Sequence, residues 1–130
     1  MSALIPKTFL ITGVSSGLGR AFAEGALCAG HVVVGTVRNP KDADAFAALA
    51  PGRAHPLQLD VTHLDAIPAA VADAERRAGS VDVLVNNAGY GHEGVLEESS
   101  IDDLQRQFAA NVFGPVAMMK AVLPLSLIHI

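Results

Sequence analysis

An apolar run, Thr8-Phe9-Leu10-Ile11, passes directly into Thr12-Gly13, and two further glycines, Gly17 and Gly19, follow at once. Few chain paths satisfy that pattern. A short, partly β-branched run without polar alternation reads as a strand buried on both faces. The glycines let the chain turn sharply and open a helix against that strand. The same grammar then repeats. Leu18, Ala21, Phe22, Gly25 and Ala29 lie at helical spacing, with Gly30 as the stop. Val32-Val33-Val34 is a second buried strand, continued by Gly35-Thr36, and Asn39-Pro40 breaks the chain before an Ala-rich helical stretch from Asp42 to Ala50. After the Pro51-Gly52 turn comes a third strand, Ala54 to Leu59. Ile67, Val71, Ala74 and Ala78 mark one face of a third helix, ended by Gly79. Val81 to Val85 is a fourth strand leading into Asn86-Asn87-Ala88-Gly89. Ser100-Ile101-Asp102-Asp103 has the form of a helix cap, and Leu104, Phe108 and Val112 carry a long fourth helix.

Strands and helices thus alternate four times, with no internal repeat or linker. Continuous apolar strands between amphipathic helices imply an α/β fold with a parallel sheet covered on both faces. Right-handed crossovers make it a Rossmann-like doubly wound sheet, here only its first four βα units. Composition agrees: 51% of residues are hydrophobic, which excludes disorder. With 9 Lys+Arg against 13 Asp+Glu, a nucleic-acid-binding role is not expected. No apolar run approaches the ~20 residues needed to span a bilayer. The single cysteine, Cys28, excludes a disulfide framework and is read as a small buried apolar residue in a reducing, cytoplasmic setting. His31, His55, His63, His92 and His129 show no metal-ligand spacing, so no metal site is expected.

The turn Thr12-Gly13-Val14-Ser15-Ser16-Gly17-Leu18-Gly19 is the first candidate site. Gly13 permits the tight turn, Gly17 permits close approach of a pyrophosphate, and Gly19 permits close helix–strand packing. Free N–H groups and the dipole at the helix start favour an anion there. The spacing departs from the usual dinucleotide fingerprint, since three residues rather than one separate the first two glycines.

Thr-Gly-x-x-x-Gly-x-Gly instead resembles the signature of the short-chain dehydrogenase/reductase family. Two further motifs follow in that family's order, Asp60-Val61 after the third strand and Asn86-Asn87-Ala88-Gly89 after the fourth. Asn111 falls where the family carries its catalytic asparagine. The resemblance covers residues from about 7 to 124. It implies an NAD(P)(H)-dependent oxidoreductase acting on a small carbonyl or alcohol substrate, and a homo-oligomeric parent protein. It implies cofactor binding by Thr12, Gly13, Ser15, Ser16, Gly17, Leu18 and Gly19, by Asp60 and Val61 beside the adenine, and by Asn87, Ala88 and Gly89.

Cofactor choice falls at the end of the second strand, about 20 residues past the glycines. An acid there would bind the ribose hydroxyls of NAD and repel a 2′-phosphate. The chain has Thr36-Val37-Arg38-Asn39, with Val37 where NAD-preferring relatives carry Asp. The Arg38 fork suits a phosphate, so NADP(H) is favoured over NAD(H). Ser16 tempers this, because many NADP-preferring relatives have a basic residue there. Farther on, Pro115 cannot donate a helical hydrogen bond to the Asn111 carbonyl. The resemblance gives that carbonyl a water in a proton relay.

The family's serine and Tyr-x-x-x-Lys pair are not found. Tyr90 is the one tyrosine, and Gly94 stands where the lysine would be. Leu125-Ser126-Leu127-Ile128-His129-Ile130 departs from the family and resembles the translation of a transposon-end sequencing adapter. The expectation is residues 1–124 of a truncated domain, a foreign tail over 125–130, and no activity in the chain alone. The rival reading takes the chain as a non-catalytic dinucleotide-binding module, a sensor or partner-binding domain.

Overall fold

The computed structural model describes residues 4–128, with side chains described to Pro124. The elements run β1 (Thr8–Ile11), α1 (Gly17–Cys28), β2 (Val32–Val37), α2 (Lys41–Ala47), β3 (Ala54–Gln58), α3 (Ile67–Ala78), β4 (Val83–Val85), α4 (Ile101–Phe108) and α5 (Gly114–Ile128). A π-helical turn, Ala109–Phe113, joins α4 to α5. The backbone stays helical to Ile128, so the expected boundary at 124/125 falls within α5; the side chains of the expected tail, and residues 129 and 130, lie outside the described residues.

The strands pair in parallel in the order β3-β2-β1-β4. Leu10 of β1 stands opposite Val34 on one side and Leu84 on the other. Alternation along the strands feeds two cores. Leu10, Val34 and Leu57 face α3 and α5 through Ile67, Val71, Met118 and Val122. Ile11, Val33 and Val37 face α1 and α2 through Ala23, Leu27 and Phe46. Leu10, Ile11 and Ile67 are completely buried, contributing roughly 1.5–3 kcal/mol apiece. Helices on both faces of a parallel sheet make this the doubly wound Rossmann-like fold expected from the alternation. Pro56 sits in β3, at the sheet edge, where a missing N–H is tolerated.

Two helical faces differ from the sequence reading. In α1 the buried stripe is Gly19, Ala23 and Leu27, whereas Leu18 and Phe22 are exposed, as is Cys28. The cause is steric. A Cβ at position 19 would overlap the Gly13 carbonyl oxygen and Asn87 Nδ2, so Gly19 has to face the strand and sets the rotation of the whole helix. In α4 and α5 the inward stripe is Ala110, Gly114, Met118 and Val122, leaving Phe108 and Val112 exposed. Small residues win there because α5 passes close to the Val61 backbone: a Cβ on Gly114 would lie 3.0 Å from the Val61 carbonyl oxygen. The single long fourth helix is α4, the π-turn and α5 in series.

Candidate cofactor cleft

The carboxyl ends of the strands open onto a cleft of about 660 Å³. Gly13, Ser15, Ser16 and Leu18 line it from the first turn, with Arg38 beyond β2, Asp60 and Val61 beyond β3, and Asn87, Ala88 and Gly89 beyond β4. Ligands in open α/β sheets bind at this position, where neighbouring crossovers leave in opposite directions.

The first turn is fixed by reciprocal hydrogen bonds. Thr12 Oγ1 accepts from the backbone N–H of Asn87 at 3.0 Å and of Ala88 at 2.9 Å. Asn87 Nδ2 donates to the carbonyls of Thr12 and Gly13, both at 3.1 Å. Thr36 Oγ1 accepts from the Gly13 N–H at 3.0 Å. Thr12 and Gly19 are buried and Gly17 is exposed; none of the three lines the cleft directly. Gly17 has φ +60°, a left-handed conformation that a side chain disfavours. The N-cap residue of α1, Ser16, makes no side-chain capping bond, and no acid occupies the first turn. The helix therefore presents its amide donors and positive dipole end to the cleft.

At the β2 end, Val37 is packed into the core and Arg38 lines the cleft. Position 38, not 37, is therefore the side chain offered to a ligand. Asp60 accepts at Oδ1 from the Thr62 hydroxyl at 2.7 Å and the Thr62 N–H at 2.9 Å. Burial pushes its carboxyl upward, but those Thr62 bonds, with His63 and Arg38 nearby, hold it below the ordinary value of 3.8. Asp60 is an ionised acceptor at neutral pH.

Asn111, which does not line the cleft, is tied to the loop after β4. Its Nδ2 donates to the Tyr90 carbonyl at 2.7 Å and its Oδ1 accepts from the Tyr90 N–H at 2.9 Å. This two-point clamp was not legible in the sequence, where only the main-chain carbonyl of Asn111 had a reading. The Gly114 N–H bonds the Ala109 carbonyl, an i to i+5 step that widens the helix beside Asn111. Thr36 and Tyr90 also line the cleft, as do Thr62, Arg106, Ala109 and Ala110, which were not expected from sequence. Among the described residues no cluster of metal-ligating side chains occurs, and no helix is long and apolar enough to cross a membrane.

A sequence model of the family described as short chain dehydrogenase matches residues 7–128. The chain belongs to the short-chain dehydrogenase family. It is similar to a 3-ketodihydrosphingosine reductase from Bacteroides thetaiotaomicron, 40% identical over 119 residues, covering 92% of this chain and 42% of that protein. An NADPH-dependent 3-dehydrocapnine reductase from Ornithobacterium rhinotracheale is 37% identical over 116 residues, covering 88% of this chain and 41% of that protein. The crystal structure of a short-chain dehydrogenase from Streptomyces avermitilis superposes with a TM-score of 0.89 at 44% identity, covering 95% of this chain and 45% of that one. The chain thus spans less than half the length of these short-chain dehydrogenase relatives, and its cleft is built from the Rossmann-like half that they share with it.

Proposed function

We propose that the chain supplies the cofactor-binding half of an NADP(H)-preferring oxidoreductase acting on a small carbonyl or alcohol substrate. The observation that carries this is the meeting in one cleft of the uncapped α1 turn, Arg38, Asp60 and the Asn87–Gly89 segment. The residues fit a dinucleotide. The amides from Ser15 to Gly19, at the uncapped start of α1, offer a diphosphate donors that no side chain takes. Arg38 presents a planar cation to a 2′-phosphate. Asp60 and Val61 border the base, and Asn87, Ala88 and Gly89 form the floor toward the nicotinamide. When bound, NADP(H) supplies or accepts the hydride. The Asn111 side chain positions Tyr90, and its carbonyl, to which Pro115 cannot donate, holds a water for proton transfer. The NADPH dependence named for the Ornithobacterium relative supports the cofactor choice.

The parent protein is a cytoplasmic homo-oligomer in this reading, with the exposed Ile101, Phe108, Phe113, Val116 and Met119 available for subunit contact. The 130 residues alone bind cofactor without turnover, since their one tyrosine, Tyr90, has no lysine four positions on. Fluorescence titration of the chain with NADPH and NADH tests the assignment. Tighter binding of NADPH, by tenfold or more, is expected; binding of neither, or preference for NADH, overturns it. Carbonyl-dependent NADPH oxidation by the purified chain, above a denatured control, would overturn the inactivity.

A further inference from the structure

We infer that Arg106 is the outer stacking wall for the base of the bound dinucleotide, a specificity role resting on the cofactor reading above. Leu59, Asp60, Val61 and Thr62 line the same cleft as Arg106, Ala109 and Ala110. This end lies beyond β2 and β3, beside Arg38. It therefore takes the half of the dinucleotide that carries the 2′-phosphate, which is the adenosine half. Of the three cleft residues contributed by α4 and the π-turn, two are alanines and the Arg106 guanidinium is the one large group.

Arg106 is held in place from the helix itself. Its Nη2 pairs with Asp103 Oδ1 in a tight ion pair. Asp103 Oδ2 accepts from the Ser100 hydroxyl at 2.7 Å and the Ser100 N–H at 3.3 Å, closing a capping box at the start of α4. Among the described residues Asp103 is its only partner, and the Arg106 side chain is 68% exposed. A guanidinium makes its hydrogen bonds in its own plane and stacks through its faces, so the Asp103 pair orients the group while leaving a face for an aromatic ring. Arg38 already offers a cation to the phosphate; Arg106, in the same cleft as Asp60 and Thr62, offers a plane to the base.

The test measures dissociation constants of NADP⁺ and NAD⁺ for the wild-type chain, R106A and R106K, each at two salt concentrations. Stacking on an exposed cation predicts that R106A weakens both cofactors by the same factor, about two- to fivefold. R106K recovers little, because an ammonium has no plane, and the salt dependence of NADP⁺ binding stays as in the wild type. Unchanged affinities overturn the inference. So does a loss confined to NADP⁺ and restored by lysine, which makes Arg106 a phosphate ligand. A wild-type chain that binds neither cofactor overturns the underlying cofactor assignment as well, and is distinguished by appearing before any variant is compared. Since Arg106 is exposed, its variants keep the wild-type urea midpoint.

Discussion

Replacing Gly19 with alanine probes the joint that sets both the α1 rotation and the cleft. The added methyl would overlap the Gly13 carbonyl oxygen and Asn87 Nδ2, and stand 2.9 Å from the Gly13 carbonyl carbon. Two of those three atoms are backbone and cannot rotate away. Helix α1 must withdraw, which strains the packing of Ala23 and Leu27 against the sheet. Overpacking of this kind costs about 1–3 kcal/mol. Displacing Asn87 breaks its bonds to Thr12 and Gly13, at about 1 kcal/mol each. Alanine's better helix propensity returns about 1 kcal/mol. The net loss is about 2–4 kcal/mol, a large share of the roughly 5–15 kcal/mol of a typical domain. Gly25 of the same helix is the control, since a methyl there meets nothing within 4 Å. Gly25→Ala should stabilise by about 0.5–1 kcal/mol. Urea unfolding followed by far-UV circular dichroism should move the two midpoints in opposite directions. If G19A and G25A shift the midpoint alike, the close approach of α1 to the first turn does not constrain this fold.

Arg38→Asp should weaken NADPH binding by about 1.5–3 kcal/mol while sparing NADH; equal losses for both cofactors would make Arg38 an ordinary loop cation. Asp60, whose folded pKa lies below 3.8, stabilises the fold fully above that value, and the contribution fades as pH falls through the lower folded value. Thr62→Val should raise the Asp60 titration midpoint in carboxyl-detected NMR; an unmoved midpoint would show that the Thr62 hydroxyl is not what lowers it. Asn111→Ala should speed amide hydrogen exchange at Tyr90 and its neighbours, because both ends of the clamp are lost; unchanged exchange would show that other contacts hold the loop.

The strands and the first turn were legible because their signals are local. A continuous apolar run such as Val32–Val34 has few alternatives, and three glycines at that spacing have fewer. The helical faces were less legible, for one physical reason. Periodicity counts Leu18, Phe22 and Phe108 as inward because they are apolar, yet the inward positions are filled by Gly19, Ala23, Ala110 and Gly114, where close backbone approach outweighs side-chain area. In the site, Gly13 and Arg38 were visible from residue type and position along the chain, and Asp60 and Asn87 from the resemblance to the short-chain dehydrogenase family. The Asn111–Tyr90 clamp was not, since it links residues 21 apart through a loop without periodicity. Arg106 and Asp103 resembled an ordinary exposed i, i+3 pair until the tertiary fold brought Arg106 into the cleft that Asp60 lines.

The bonds that shape the first turn also impose a schedule on biosynthesis. The Thr12 hydroxyl finds its donors on Asn87, 75 residues later in the chain, and on Ala88, 76 residues later. Everything from the first turn to α3 can leave the ribosome while Thr12 and the Gly13 carbonyl still lack those partners. Pairings this distant in sequence are the slow part of building a parallel sheet. The proposed nucleotide-binding turn is therefore translated 75 residues ahead of the partner that gives it its final shape. Nucleotide affinity in a nascent chain would appear only once β4 and Asn87 have emerged, which makes the ligand a clock for the arrival of the fourth strand.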